Sequence, residues 1–316
     1  MTTFSAPTLA DLRAAASRIA PYVHRTPLMS SSTLNQQLGL QAFFKCENFQ
    51  KVGAFKARGA VNAVLSLDDE AARRGVVTHS SGNHGQALAY AAAVRGIPCT
   101  VVMPDHAPRI KREAVEGYGA RVVLVPNSER EVGAERERAS SGAVLVHPYD
   151  NFEVIAGQGT AALEIIEELP SVDAFIAPVG GGGLLSGTAI AAEAVMPKAR
   201  VIGAEPEAAD DAYRSLASGR RQPRVPRPET IADGLLTALG PPTFEILRRT
   251  GATIQLVSEE DLIAAARFHL ERMKIAVEPS GAAGLAALRH LAPEMRGQTV
   301  AVIISGGNTD FSWLER

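Results

Sequence analysis

One stretch decides the fold of this 316-residue chain: Ala174-Phe175-Ile176-Ala177-Pro178-Val179-Gly180-Gly181-Gly182-Gly183-Leu184-Leu185-Ser186. Its first residues are apolar, as in a buried strand, and Leu184 opens an Ala-rich helix predicted over 184–195. The glycines therefore lie at a strand-to-helix turn, where backbone N–H groups and the helix dipole converge on an anion. Without Cβ atoms the backbone can approach a phosphate closely. The turn predicts a phosphate site without identifying the phosphate.

Short β-branched runs alternate with longer Ala- and Leu-rich segments on both sides of this stretch. Strands are predicted over 42–45, 76–79, 100–103, 121–125, 174–177, 201–204, 253–257 and 300–304. Helices are predicted over 86–95, 110–118, 160–168, 184–195, 259–272 and 282–291. Strands that alternate with helices of this length favour parallel sheets covered on both faces. The predicted fold class is therefore α/β.

The composition excludes several classes of protein. A formal charge of −2 gives no broad attraction to nucleic acid or to an anionic membrane. Cys46 and Cys99 fit neither a disulfide framework nor a metal-ligand spacing, so a reducing cytoplasm is expected. Asp11 and Arg13 fall where the apolar region of a signal peptide would run. The uncharged stretch 174–192 is long enough to suggest a membrane span, but its proline and consecutive glycines exclude a lipid-exposed helix.

A nicotinamide dinucleotide is the first alternative for the phosphate. Glu205 ends the next predicted strand, about 20 residues further on, where a Rossmann acid would bind ribose. However, Leu185 and Ser186 fall where the third glycine or alanine of the G-x-G-x-x-G spacing should be. The glycine run by itself leaves the choice open between a dehydrogenase and another phosphate-binding enzyme.

A second turn of the same kind is Ser80-Ser81-Gly82-Asn83-His84, which follows a predicted strand and precedes a helix. It offers hydroxyls, an amide and free N–H groups at a helix N-terminus, which suits a substrate carboxylate. Simple N-capping by Ser81 or Asn83 is the structural alternative, and it would account for only one of these residues.

A lysine heads an Ala-rich helix in Gly53-Ala54-Phe55-Lys56-Ala57-Arg58-Gly59-Ala60. Such a lysine is usually a solvated surface residue. The positive end of the helix dipole and burial would both lower its pKa from about 10.4. A Schiff base requires that unprotonated amine.

The last motif, Ser305-Gly306-Gly307-Asn308, follows the strand predicted over 300–304. A hydroxyl at the carboxyl end of a strand is well placed to meet a ligand in an open α/β sheet. Alone, it would be read as a turn serine before a glycine bend.

These four elements, in this order, closely resemble the fold-type-II pyridoxal-phosphate enzymes. More narrowly, they resemble the serine racemase, threonine dehydratase and hydroxyaspartate dehydratase group, from Thr26-Pro27-Leu28 to Ser305-Gly306-Gly307-Asn308. The resemblance implies two doubly wound parallel-sheet domains of the tryptophan-synthase-beta-like kind. A large cofactor-binding domain would comprise 1–73 plus 151–316, with a small mobile domain over 74–150 inserted in it.

The resemblance also implies the site residues and the cofactor, pyridoxal 5'-phosphate. Lys56 would form the Schiff base, and Ser81 matches the serine that serves as a second acid/base in serine racemases. The implied cofactor-binding residues are Phe55, Lys56, Asn83, Gly180, Gly181, Gly182, Gly183 and Ser305. The implied substrate-binding residues are Ser80, Ser81, Gly82, Asn83 and His84.

A divalent cation, Mg²⁺, Mn²⁺ or Ca²⁺, is implied in the same way at the loop between the strand over 201–204 and the next helix. Its ligands would be the carboxylates of Glu205 and Asp211 and the carbonyl of Ala209, which are hard oxygen donors. From spacing alone, an acidic solvated loop would be the preferred interpretation. The resemblance further implies a homodimer that acts on a small amino acid.

Ser305 indicates the type of reaction. A carboxylate at this position would keep the pyridine nitrogen protonated, whereas a neutral hydroxyl need not, so loss of a β-leaving group is favoured over a long-lived carbanion. We therefore predict a pyridoxal-phosphate-dependent ammonia-lyase that converts a small hydroxy-amino acid, such as L-threonine or L-serine, into a 2-oxo acid and ammonia. The alternatives are a serine racemase, a 3-hydroxyaspartate dehydratase and, in a different class, an NAD-dependent dehydrogenase. Tyr149 stands where those racemases commonly have asparagine.

Overall fold

The computed structural model describes residues 5–80 and 82–315 of the chain. Within those residues the strands form a sheet of six and a sheet of four. The strands are β1 (Leu28–Ser30), β2 (Gln41–Cys46), β3 (Val76–His79), β4 (Cys99–Pro104), β5 (Arg121–Val125), β6 (Val144–Leu145), β7 (Ala174–Pro178), β8 (Arg200–Pro206), β9 (Thr253–Val257) and β10 (Thr299–Ile304). The larger sheet has the order β1-β2-β10-β7-β8-β9 and the smaller one the order β5-β4-β3-β6.

The helices precede, connect or cover these strands. They are α1 (Leu9–Ile19), α2 (Ser32–Leu38), α3 (Lys56–Leu65), α4 (Asp69–Arg74), α5 (Asn83–Arg95), α6 (Arg109–Glu116), α7 (Arg130–Ser141), α8 (Phe152–Glu168), α9 (Gly183–Val195), α10 (Asp211–Ser218), α11 (Pro241–Arg249), α12 (Glu259–Phe268) and α13 (Pro279–Leu291). The helix predicted over 259–272 is α12 followed by a π-helical turn, His269–Met273. No helix within the described ranges combines the length and apolar character needed to cross a membrane.

The α/β class and the two parallel-sheet units are confirmed, and each predicted strand is present. The strands β1 and β6 were not predicted, because segments of three and two residues are too short to show a periodicity. The edge strand β1 runs antiparallel to β2, with Leu28 opposite Lys45, so the larger sheet is not wholly parallel. The other described strand pairs are parallel.

The smaller sheet is built from one continuous stretch of chain. Its strands lie between residues 76 and 145, whereas the larger sheet takes strands from both sides of that stretch. Helix α3 contributes to the core of the smaller unit through Ala60 and Val61, and it also packs against α8. The domain limits at 73 and 151 stay predictions.

The core of the larger sheet has two faces. On one face the central strands contribute Phe44, Ile176 and Val302, which pack against α12 and α13. On the opposite face Phe175 and Ala301 pack in a cluster with α9. Because both faces are covered, the strands are apolar along most of their length, as the sequence pattern indicated.

Helix α8 lies between α3 and α9 and packs so closely against both that its backbone contacts theirs. A Cβ on Gly157 would lie 2.6 Å from the Arg58 carbonyl oxygen, and one on Gly159 would lie 2.9 Å from that of Gly187. Only glycine permits this approach. Arg58 is the third residue of α3 and Gly187 the fifth of α9, so the contact brings together the N-terminal parts of these helices, which carry Lys56 and the glycine run.

Candidate active site

The loops after β3, β7 and β10 meet at the carboxyl ends of the two sheets, together with the segment that leads into α3. The backbone N–H of Phe55 donates to the Ser305 carbonyl over 3.0 Å, and Ala54 forms an antiparallel bridge with Gly306. Ser305 itself is buried at the end of β10. This pairing places Phe55 and Lys56 beside Ser305, although they are about 250 residues apart in the sequence.

Lys56 is the first residue of α3, and its amine faces the interior of the cleft. Its Nζ donates to the Pro148 carbonyl oxygen over 2.9 Å and lies 5.0 Å from the ring centroid of Phe55. Burial lowers the pKa of Lys56 from 10.5 to about 8. A usable fraction of neutral amine therefore exists near neutral pH, as a Schiff-base lysine requires.

A strained turn leads into this lysine. Val52 has φ 57° and Gly53 has φ 68°, so both lie in the left-handed region, which is a genuine outlier for a β-branched residue. The Asn308 amide donates to the Val52 carbonyl over 2.8 Å, and the Gly307 N–H donates to that of Gly53 over 2.9 Å. These two contacts hold the turn and fix the direction in which α3 begins.

The glycine run Gly180–Gly183 forms a turn without side chains at the start of α9, which we call the glycine cradle. A Cβ on Gly181 would collide with the Tyr149 ring, and one on Gly182, which has φ 86°, would lie 2.6 Å from Leu239. The first described residue of α9 is Gly183, so free N–H groups and the helix dipole face this turn. The cradle is thus suited to the phosphate of a pyridoxal cofactor whose aldehyde end would meet Lys56.

Asn83 is held by a network that crosses from one unit to the other. Its Nδ2 donates to Glu278 Oε1 over 2.9 Å, and its Oδ1 accepts from Asn308 Nδ2 over 2.8 Å. Burial, and then the charge of Asp233, raise the pKa of Glu278 to about 8. The amide plane of Asn83 is therefore fixed before any ligand binds.

The loop after β3 is described only in part, because Ser81 lies outside the described residues. The Gly82 N–H donates to Ser80 Oγ over 3.2 Å, and α5 begins at Asn83 with Gly82 at the N-cap position, so Asn83 is not the capping residue. His84 is 3% exposed, and its Nε2 lies 3.1 Å from the Val146 carbonyl oxygen. The imidazole thus faces the interior, where the charges of Lys56, His147 and His79 act on it and its Nδ1 has no hydrogen-bond partner.

The rings of His79, His147 and Tyr149 form a row beside Lys56, which we call the aromatic wall. The ring centroids of His79 and His147 are 5.6 Å apart, and those of His147 and Tyr149 are 4.6 Å apart. Burial, followed by the charges of His79 and Lys56, lowers the pKa of His147 to about 4. The pKa of His79 is also lowered, first by burial. Both imidazoles are neutral at neutral pH.

The predicted metal ligands lie at the end of β8 and the start of α10. Glu205 is buried, and its oxygens accept from the N–H groups of Ala212 and Tyr213, each over 2.8 Å. Burial raises the pKa of Glu205 to about 8 and that of Asp211 to about 6. Within the part of the chain that the structure describes, there is no group of three His, Cys, Asp or Glu residues that could hold a metal. A cation site formed by the carboxylates of Glu205 and Asp211 and the carbonyl of Ala209 therefore stays a prediction.

The motifs did not reveal the ion pairs that anchor α3. Arg58 is fully buried and donates to both oxygens of Glu47 over 2.7 and 2.8 Å, and to those of Glu164 over 2.7 and 2.9 Å. Lys45 also donates to Glu164, over 2.7 Å. One signal was visible in the sequence: Arg58 is a charge in an otherwise small and apolar helix segment, where a buried charge needs an acidic partner. Glu278 and Asn308 carried no comparable signal.

The fold and the site together define a pyridoxal-phosphate enzyme, and the comparisons agree: the family model "Pyridoxal-phosphate dependent enzyme" matches residues 19–306. The chain belongs to this family. It is 49% identical to the serine racemase of Dictyostelium discoideum, with 98% of this chain and 97% of the relative covered. It is 45% identical to the β-hydroxyaspartate dehydratase of Paracoccus denitrificans, with 98% of each covered. The crystal structure of a T.th. threonine deaminase matches with a TM-score of 0.92 and 47% identity, over 97% of this chain and 100% of that chain.

The membership confirms pyridoxal phosphate as the cofactor and is at odds with the dehydrogenase alternative. Glu205, the supposed ribose ligand, instead accepts from the backbone at the start of α10. The names of the relatives fit the serine racemase and hydroxyaspartate dehydratase alternatives better than the L-threonine or L-serine dehydratase that the sequence favoured.

Proposed function

We propose that this protein is a pyridoxal-phosphate-dependent ammonia-lyase acting on 3-hydroxyaspartate, which it converts into a 2-oxo dicarboxylic acid and ammonia. The observation that carries the choice of substrate is a pair of arginines beside the aromatic wall. Arg130 begins α7, and Arg224 lies in the exposed loop after α10. Burial, and then the positive charge of Arg224, lowers the pKa of Arg130, while the neighbouring Glu131 raises it, so the two guanidinium groups repel each other.

Their position relative to Lys56 supports a contact with the far end of the substrate. Burial is the main cause of the lowered pKa of His79; the charge of Glu131 raises that pKa and the charge of Arg130 lowers it. The His79 ring contacts the ring of His147, whose pKa is lowered in part by the charge of Lys56. At the other end of the wall, burial and then the charges of Asp150 and Glu131 raise the pKa of Tyr149, and the charge of Arg224 opposes that rise. A second carboxylate on the substrate's β-carbon would relieve the repulsion between the two guanidinium groups, whereas the side chains of serine and threonine carry no such charge.

The remaining groups have separate tasks in this proposal. Pyridoxal phosphate, when bound, supplies the electron sink that makes the Cα proton acidic. The Lys56 amine takes that proton, which its lowered pKa permits near neutral pH. In the Ser80–His84 loop the N–H groups of Asn83 and His84, at the start of α5, bind the α-carboxylate, since those of Ser80 and Gly82 already donate to Val102 and to Ser80 Oγ. The neutral Ser305 hydroxyl bonds the ring nitrogen. The β-hydroxyl leaves as water, with the proton taken from Cα passed on to it, and a water molecule then hydrolyses the released enamine to the 2-oxo acid and ammonia.

Replacing Arg130 with methionine tests the substrate. We expect kcat/KM for 3-hydroxyaspartate to fall at least about 30-fold, because a charged partner of the second carboxylate is lost. The same parameter for L-serine should change little. Release of the 2-oxo acid, measured for both substrates in Arg130→Met and Arg224→Met, gives the comparison. Arg136→Met is the matched control, since Arg136 lies on the same helix but pairs with Glu129 at the surface. Equal losses for both substrates would rule out a specific role in recognising the second carboxylate.

Serine racemisation is the second candidate, favoured by the 49% identical serine racemase. Ser81 would supply the second acid/base on the opposite face of the ring. Ser81→Ala should then abolish formation of D-serine from L-serine while elimination from L-serine persists. Ser140→Ala serves as the control, because the exposed Ser140 hydroxyl donates only within α7, to the Glu137 carbonyl. If the unmodified enzyme interconverts neither enantiomer, this candidate fails.

We also propose that Glu205, Asp211 and the Ala209 carbonyl hold a divalent cation. The carboxylate oxygen Oδ2 of Asp211 is buried without a partner, and a cation would satisfy it. Water would complete the coordination of Mg²⁺, Mn²⁺ or Ca²⁺. The homodimer and the cytoplasmic location stay predictions.

A further inference from the structure

Gln158 is a fully buried side chain without a hydrogen-bond partner at either end. Its exposed fraction is 0%, and both Oε1 and Nε2 are without a partner. An unpaired buried amide costs about 1–3 kcal/mol for each polar group, so native proteins rarely retain one without a reason. Such a group is expected where a ligand completes the hydrogen bonds.

The position of Gln158 points to that ligand. It lies between Gly157 and Gly159, the residues through which α8 contacts α3 and α9 at backbone distance. A Cβ on Gly59 would lie 3.0 Å from Gln158 Cγ, and one on Gly183 would lie 2.6 Å from Gln158 Oε1. The amide therefore lies against the glycine cradle with Oε1 nearest to Gly183, between the N-terminal ends of two helices. Because neither end of the amide has a partner, a half-turn about the last side-chain bond brings Nε2 to this place without breaking a hydrogen bond.

We propose that Gln158 binds the phosphate group that the glycine run holds, with Nε2 donating a hydrogen bond to a phosphate oxygen. The inference rests on the proposed phosphate site at Gly180–Gly183 and assigns to it a side chain that no motif indicated. The cradle otherwise offers backbone N–H groups, which any anion can use. A side-chain donor fixed by packing on three helices adds a directed contact and sets the position of the phosphate.

The test is the affinity of the apoprotein for two forms of the cofactor. In Gln158→Met, which removes the amide but retains a long unbranched side chain, the Kd for pyridoxal 5'-phosphate should rise about tenfold or more. The Kd for pyridoxal, which has no phosphate, should not change. Gln158→Glu should weaken the binding of pyridoxal 5'-phosphate further, because it places a negative charge beside the phosphate. Titrations followed by absorbance or by tryptophan fluorescence give these constants without reference to turnover, so a wrong substrate assignment would not affect them.

Thermal unfolding of the apoproteins separates this role from a structural one. Because the amide is unpaired in the protein alone, Gln158→Met should leave the apoprotein at least as stable as the unmodified one. The unmodified apoprotein should also be stabilised by inorganic phosphate, and Gln158→Met should be stabilised less. The proposal is overturned if the two cofactor forms lose affinity equally, if neither loses affinity, or if Gln158→Met destabilises the apoprotein itself.

Discussion

Lys56→Ala is expected to abolish turnover and to remove the visible absorbance band of the protein-bound cofactor. In the proposed function the amine is both the covalent attachment point and the base for the Cα proton, so kcat should fall by at least about 10⁴-fold. Absorbance spectra and assays of 2-oxo acid release check the two effects. Lys51→Ala is the matched control, because Lys51 belongs to the same segment but does not begin α3. An unchanged spectrum in Lys56→Ala would contradict the assignment.

The pH dependence of cofactor capture tests the environment of this amine. The ammonium form cannot attack an aldehyde, so the rate of capture by the apoprotein should rise as the pH rises and as the neutral amine forms. The midpoint should lie near 8, the lowered pKa of Lys56, and not near the 10.5 of a solvated lysine. Stopped-flow absorbance over a pH series measures it. A midpoint close to 10.5 would mean that burial does not act on this group.

Arg58→Met should lower the free energy of unfolding by about 3–5 kcal/mol, because it leaves the buried Glu47 without its charged partner and leaves Glu164 with Lys45 alone. Glu47 is fully buried and Glu164 is 15% exposed, so neither carboxylate can be solvated as it would be in water. Equilibrium unfolding in urea measures the loss. The free energy of unfolding of Arg58→Lys should lie between those of Arg58→Met and the unmodified protein, since an ammonium group cannot form two bidentate pairs.

Two further variants separate charge burial from loss of packing. Arg25→Met breaks exposed pairs with Glu167 and Glu168 and should cost no more than about 1 kcal/mol. Combining Glu47→Gln with Arg58→Met should restore part of the stability, because one unpaired charge is removed. A loss of about 1 kcal/mol or less in Arg58→Met would show that the network does not anchor α3.

Local patterns sufficed for much of the fold. The strands β3, β5 and β9 begin and end where the sequence predicts them, since each is a β-branched run bounded by turn residues. The very short β1 and β6 gave no periodic signal. Their pairing with β2 and β3 depends on neighbours distant in the chain.

The residues of the candidate site were likewise only partly predictable from local sequence. Lys56, the glycine run and Ser305 were identified because each stands at a strand end or helix start that is visible in the local sequence. The partners that hold or complete the site were not identified. Arg58 binds Glu164, 106 residues away, and Asn83 binds Glu278, 195 residues away. No spacing rule connects such pairs.

The glycine run between β7 and α9 also shows what local sequence predicts and what only the tertiary structure adds. By itself the sequence determined that Gly180–Gly183 form a turn between a strand and a helix, and predicted that this turn binds an anion, because glycine composition and apolar periodicity are local properties. Only the tertiary structure decided what surrounds that turn. Tyr149 covers Gly181, the unpaired amide of Gln158 lies against Gly183, and α8 brings the cradle to Lys56. These contacts arise when helices distant in the sequence pack together, so burial and pairing are fixed by the whole fold.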